Sequence, residues 1–500
     1  MTRTWARELA GWLSAAAVSI VAASAVASSP RTDLLFRDGD SLIVAMLARS
    51  VLSGQPLDWA MSSVLFLPET AMFTGIGAVV PVSANGLFAV SALVNLLALY
   101  GAIRLVAGRR REGMAPVAWS VAALAMFAVL AMTDLSASRD ALDLASLHLT
   151  TTYYSATVIG TVATVGIVRR AIDSDDVRVW ALLWLGAVAL VSTLSNPLYA
   201  VWATIPLAIV VAGGAAAAPA RRRPVPILIT VLLAGTAAGL LARIPLAAWI
   251  TNTGIDYVHP DQWRESVVYY AGLVVERGQS LPGSAGTLLV LALVAVAIVR
   301  TVRRGEPGAR LVAAMSWAAP LVVVVGSVAL GTHAARYLQP LAFAPVLVLV
   351  AAPRVWGIPA RLRRSAAALT VVVLLLVGGL SIPRLAVAAD RPDVDLACVT
   401  AWVDASDRTG AGQFWTVRLP KLHLADPSRL VQVDHQLNGY AWLVNRTDFD
   451  VGEVSFLVED SQTVPWDLPP TVDPERVIDC GRYTILDFGS QALPLGPQHG

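Results

Sequence analysis

Apolar runs of about 20 residues recur along the first three quarters of this chain, the length an α-helix needs to cross a bilayer. They fall near 10–29, 83–107, 115–133, 151–168, 179–195, 198–217, 226–250, 284–302, 310–330, 338–352 and 366–384, eleven in all. Backbone inside lipid must satisfy its own hydrogen bonds, so such runs dictate helices there. Of 500 residues, 56% are hydrophobic and only 14% charged, where a soluble domain carries roughly a quarter charged. The chain reads as an α-helical polytopic membrane protein.

The arginines order these runs, because basic residues gather in cytoplasmic loops. Arg3 and Arg7 precede the first run, Arg109–Arg111 follow the second, and Arg169, Arg170 and Arg178 lie between the fourth and fifth. Arg221–Arg223 follow the sixth, Arg303, Arg304 and Arg310 the eighth, and Arg354, Arg361, Arg363 and Arg364 the tenth. Simple alternation puts every cluster on one side. The expectation is a multi-pass plasma-membrane protein, N-terminus cytoplasmic and C-terminal domain extracytoplasmic. Val64–Val80 is also apolar, but counting it would move Arg109–Arg111 outside, so it reads as interfacial or re-entrant. Ala25-Val26-Ala27 resembles a signal-peptidase site; a retained first span is expected, and the orientation of the rest is the same either way. Lysine occurs once, at Lys421, the usage of a GC-rich bacterial genome. No basic stripe with interleaved aromatics points to nucleic acid.

The alternation leaves polar loops at 30–82, 134–150, 251–283 and 331–338 on the outer side. It also divides the chain into a transmembrane domain, 1–384, and a polar domain, 385–500. In the latter, Asp393 to Ala405 reads as a helix, and QFWTVRL, RLVQVDH, YAWLV, VSFLV and RYTILDF as strands between turns, giving a small α+β domain. Both cysteines, Cys398 and Cys480, lie there, and an oxidising compartment favours a disulfide between them.

Two polar groups stand out beside the apolar runs. LLFRDGDSLIVAM, 34–46, places Arg37, Asp38 and Asp40 just beyond the first run. A carboxylate there can act as a general base toward a sugar hydroxyl, and Gly39 lets the chain turn so that both acids approach one substrate. The plainer reading is a helix over Ser41–Ser53, capped by Asp40 or Ser41 and ended by Gly54 and Pro56, with Arg37 neutralising a neighbour. Ile43, Leu47 and Val51 recur at i, i+4 and i+8 and give this helix an apolar stripe suited to a bilayer surface. The second group is GTHAARYLQP, 331–340, where Arg336 could grip a phosphate in bidentate fashion. His333 would add a donor from the same helical face; the plain alternative is a snorkelling arginine beside an interfacial Tyr337. In loop 251–283, Tyr257, His259, Asp261, Trp263, Arg264 and Glu265 offer ring faces and hydrogen bonds for an acceptor wall or lid. Asp134, Arg139, Asp140, Asp143 and His148 form a third polar group that reads as structural.

An acidic motif in the first external loop, and the H-x-x-R-Y-x-x-P pattern of His333, Arg336, Tyr337 and Pro340, resemble the GT-C glycosyltransferase superfamily. LPETAMF at 67–73, SNPLYA at 195–200 and a terminal extracytoplasmic domain are similar in character. The resemblance implies transfer of a sugar from a polyprenyl-phosphate donor to an extracytoplasmic glycan or glycolipid acceptor at the outer membrane surface. It makes Asp40, or Asp38, the catalytic base and Arg336 the donor-phosphate ligand, assisted by His333, Arg37 and Tyr337. Many members pair their acids directly, whereas Gly39 separates them here; the choice between them, and a bridging divalent metal, stay open. No organic cofactor is implied. The alternatives are a flippase or transporter of lipid-linked glycans, expected to carry charges at mid-membrane depth, and a non-catalytic scaffold for envelope assembly.

Overall fold

The computed structural model describes residues 2–174, 177–217, 224–303, 305–355, 357 and 359–500. Arg221–Arg223 and Arg304 of the expected basic clusters lie outside them. The fold is mostly helical with a smaller β region toward the C-terminus. Among the described residues six helices are long and apolar enough to cross a membrane: Thr4–Ala27, Ala84–Val106, Ser155–Ile172, Leu281–Val302, Pro307–Ala329 and Arg361–Ala389. The other five expected runs fall on shorter apolar helices, Pro116–Met132, Val179–Ser195, Ala200–Gly214, Val225–Leu241 and Ala335–Ala351. The additional run at 64–80 contains the helix Leu67–Gly77, whose 11 residues rise only about 16 Å, too short to cross.

The chain divides into two compact units. One comprises Met1–Leu34, Phe88–Ile244 and Ile255–Ala389; the other comprises Leu35–Leu87, Pro245–Gly254 and Asp390–Gly500. The second unit thus takes in the first polar loop and a short piece of 251–283, where the sequence suggested a single cut after residue 384.

Small residues set the packing of the helical unit. Gly235 and Gly239, one helical turn apart in G-T-A-A-G, press on the Val179–Ser195 helix so closely that a Cβ would lie 2.7 Å from Gly186 O and 2.6 Å from Leu190 O. Such spacing lets two backbones approach where no hydrophobic drive separates helix from lipid. Gly378 plays the same part against Ala17, joining the first and last long helices. Arg361–Ala389 and Leu281–Val302 leave most of their apolar surface uncovered, as lipid-facing helices do.

The second unit is built on a seven-stranded mixed sheet. Its spatial order is Gly496–His499, Asn438–Tyr440, Leu430–Val433, Gly410–Gln413, Phe456–Glu459, Tyr483–Asp487, Arg476–Cys480. Gly410–Gln413 runs parallel to both of its neighbours. A parallel pair needs a crossover connection, and the helix Phe414–His423 supplies it. QFWTVRL is therefore a strand only up to Gln413, and the period-two reading fails beyond it. Phe414 and Arg418, and Val417 and Lys421, are four apart and share a buried helical face. YAWLV is likewise broken, pairing only at Asn438–Tyr440 and Val444–Asn445. The expected helix appears as Val394–Ser406, with the Asp393 side chain accepting from Leu396 N at 3.0 Å. Cys398 and Cys480 form a disulfide, Cα atoms 5.5 Å apart, tying this helix to the edge strand.

Candidate functional site

In the second unit the acidic motif is a tight 3-10 turn, Gly39–Leu42, leading into the helix Ile43–Leu52. Asp38, rather than Asp40 or Ser41, is the cap: it sits in extended conformation and Oδ2 accepts from Ser41 N at 3.2 Å. The turn begins two residues earlier than the helix expected from the sequence, with Gly39 against the ring of Trp415. A Cβ at Gly39 would lie 3.0 Å from that ring, tighter than nine in ten such contacts. The expected surface stripe is turned inward: Ile43 and Leu47 are buried, and only Val51 is exposed. Arg49 fixes this orientation by donating to Leu422 O at 2.8 Å and Ala425 O at 2.7 Å.

Beneath the turn lies Arg418, fully buried. Its Nε donates to Gly39 O at 2.6 Å, and Nη1 donates to Leu443 O at 2.6 Å. The guanidinium lies 4.8 Å from the Phe414 ring centroid. Burial pulls its pKa down to about 10, and the charges of Asp40 and then Asp38 oppose that shift. Both carboxylates therefore feel one internal cation while staying partly exposed. Arg37, expected to assist with phosphate, instead faces Asp393 at 3.6 Å.

In the helical unit, Arg336 opens a short 3-10 turn, Ala335–Leu338. Its Nη1 donates to Asp140 Oδ1 at 3.0 Å, and its guanidinium lies 5.9 Å from the Tyr257 ring and 5.5 Å from that of Tyr337. Two aromatic faces and one carboxylate hold the cation. Asp140 is 45% exposed and Arg336 only 16%, so the anionic partner is the one that solvent can reach. His333 does not share a helical face with Arg336, because residues 332–334 have no helical turn. It is exposed and stacks edge-on with Tyr269 at 5.3 Å. Tyr269 also bonds the Ala335 backbone, and burial, with Asp140 nearby, raises its hydroxyl pKa.

The elements behind this cage are fixed. Trp202, in a π-helical turn at Ala200–Thr204 just after SNPLYA, donates from Nε1 to Tyr337 O at 3.0 Å. Tyr154, a non-glycine residue at φ 66°, stacks on both Trp202 and Tyr337. Such strained positions persist only where the surroundings hold them. Gly331, at φ 62°, lies against His259 O with no room for a Cβ, and His259 N donates to Leu330 O at 2.8 Å. The stretch carrying Tyr257 is thereby pinned beside Arg336.

The loop bearing Asp140 is anchored by a buried polar knot. Arg31 donates to Ser136 O at 2.7 Å, Ser138 O at 2.9 Å and Asp143 O at 2.8 Å. Arg277 bridges Asp134 and Asp143, and both acids also accept backbone N–H bonds. Asp134 and Asp143 are thus structural, as expected, whereas Asp140 faces the cation. Of the expected lid residues, Tyr257 reaches Arg336; His259 serves through its backbone; Asp261, Trp263, Arg264 and Glu265 lie exposed, with Arg264 5.3 Å from the Trp263 ring. Among the described residues no three of His, Cys, Asp and Glu gather to hold a metal ion.

Sequence reasoning missed Arg418, Trp202 and the role of Asp140. A signal for Arg418 was present in its i, i+4 spacing from Phe414. Asp140 carried no local signal, being 196 residues from Arg336. No protein-family model matches this chain, and no curated protein matches it significantly.

Proposed function

We propose that this protein is an integral-membrane glycosyltransferase of the GT-C type, taking a sugar from a polyprenyl-phosphate donor. The observation that carries the reading is Arg336, a guanidinium lying against the Tyr257 and Tyr337 rings and bonded to half-exposed Asp140. A phosphate can replace a carboxylate on a guanidinium with the same bidentate geometry and more charge. Asp40 is the base: Asp38 is occupied as a cap, while Asp40 keeps partial exposure and a stabilising cation below it. It removes the proton of the acceptor hydroxyl as that oxygen attacks the anomeric carbon and the lipid phosphate departs. The leaving group is already good, so positioning with one base and one cationic clamp suffices. In this reading all eleven apolar helices cross the membrane, with the N-terminus cytoplasmic and the second unit extracytoplasmic.

The test is transfer by the purified protein in nanodiscs against a panel of polyprenyl-phosphate sugars. Asp40→Asn is expected to abolish transfer with donor binding intact, and Arg336→Gln to weaken donor binding. Unchanged behaviour of both variants with a donor that the wild type turns over would reject these roles. No turnover of any donor by wild-type protein would favour a transporter or scaffold.

A further inference from the structure

The helical unit holds a second cationic site with no part in the reading above. A cavity of 460 Å³ is lined by Arg109, Arg110, Arg111, Arg169, Arg170 and Arg178. Arg169 forms its floor and is structural: buried, it donates to Val106 O, to Val350 O at 2.8 Å and to Ala351 O at 3.0 Å. The lining also contains two acids, and both are engaged. Asp173 lies 3.4 Å from Arg169 and accepts from Gly308 N at 3.0 Å; Glu306 lies 2.7 Å from Arg111. Asp175 and Asp176, near Arg178 in sequence, lie outside the described residues. Arg109, Arg110, Arg170 and Arg178 make no ion pair with a carboxylate among the described residues, although the charge of Glu8 attracts Arg170. Arg104, Arg109 and Arg169 all repel Arg170. Guanidinium groups gathered in a partly desolvated cavity raise its energy unless an anion enters.

The cavity's depth identifies the anion's class. Its lining comes from the ends of Ala84–Val106 and Ser155–Ile172, both long enough to cross a membrane, so it lies near lipid headgroups. Pro353 lines it, and Arg336 begins the helical stretch Ala335–Ala351 that ends beside Pro353. That stretch, a succession of short 3-10 and α turns, lies between the two cationic sites, and Arg336 is not among the residues that line the cavity. The two are therefore separate sites.

We propose that this cavity binds a phosphate group, presented by an anionic lipid headgroup or free in solution, at a site separate from Arg336. Guanidinium forks match phosphate oxygens in pairs, and basic pockets between membrane helices suit such headgroups.

The experiment compares the thermal midpoint of the full chain in phosphatidylcholine nanodiscs, in nanodiscs with added phosphatidylglycerol, and in phosphatidylcholine nanodiscs with inorganic pyrophosphate. A rise of several degrees with phosphatidylglycerol alone assigns the lipid; a saturable rise with pyrophosphate assigns the free anion. Either rise must disappear in Arg109→Gln/Arg178→Gln, both exposed positions, and persist in Arg361→Gln/Arg363→Gln, basic positions outside the cavity. No rise with either probe, or equal loss in both double variants, overturns the proposal. If the first double variant fails to fold, native mass spectrometry of the wild type decides. Preferential retention of phosphatidylglycerol, or bound pyrophosphate, supports the site, and retention of neither overturns it.

Discussion

Arg418 carries a full charge with no exposed surface, and a buried guanidinium is tolerated only when paired and hydrogen-bonded. Two backbone carbonyls and the charges of Asp38 and Asp40 meet most of that demand, Nη2 alone being buried without a hydrogen-bond partner among the described residues. Arg418→Met would strand those carbonyls and leave two neighbouring carboxylates without their cation. We expect a loss of about 3 kcal/mol, read from the denaturant unfolding of the second unit. Arg418→Lys should recover little, since an ammonium cannot span both carbonyls in a planar fork. Asp38→Asn keeps a capping oxygen and should cost well under 1 kcal/mol, whereas Asp38→Ala should cost about 1 kcal/mol. His148 gives a pH signature in the other unit. Its Nε2 donates to Asn95 O at 3.1 Å, and burial pushes its pKa down to about 4. The unfolded chain, with an ordinary pKa near 6.5, takes up the proton first as pH falls. Stability is thus full above about 6.5 and is lost between there and about 4, on the order of 3 kcal/mol in all. Thermal midpoints over that range should fall for wild type and flatten in His148→Asn.

The elements were legible where one period dominated. Each apolar run falls on a helix, six of them long enough to span among the described residues and five shorter, because a helix surrounded by apolar neighbours is apolar all round. The helix Val394–Ser406 announced itself through its Asp393 cap. Phe414–His423 did not, because it buries Arg418 and Lys421 beside apolar residues, and F-W-T-V-R-L then alternates like a strand. Lys421 is held by Pro427 O, Leu430 O and Asp448, partners that no local pattern reveals. The capping residue of the acidic turn was equally hidden, since the closeness of Gly39 to Trp415 depends on a helix some 375 residues away in the chain. At this scale the disulfide makes a quantitative prediction. It closes a loop spanning 82 residues, and opening it removes about 4.5 kcal/mol in the chain-entropy model. Cys398→Ser/Cys480→Ser should lower the unfolding midpoint of the second unit, and reductant should reproduce that shift in wild type while leaving the variant unchanged.

For the whole molecule, six helices among the described residues are long and apolar enough to span, which is consistent with a membrane protein, and the proposed orientation rests on the alternation of the arginine clusters in the sequence. Single cysteines at Ser280 and Gly305 test that orientation: an impermeant thiol reagent added to intact cells should label the first and spare the second. The pairings within each unit, Arg336 with Asp140 in the first and Gly39 with Arg418 in the second, are separated by 196 and 379 residues, so no window of sequence contains either. What the sequence did supply was the two residues to watch, Asp40 and Arg336, each placed by charge against an apolar background. The decisive measurement is sugar transfer from a polyprenyl-phosphate donor in nanodiscs by wild type, Asp40→Asn and Asp38→Asn. Transfer in wild type, retained at a reduced rate in Asp38→Asn and absent in Asp40→Asn with donor still bound, is the predicted result. Wild-type-like transfer in Asp40→Asn would contradict it.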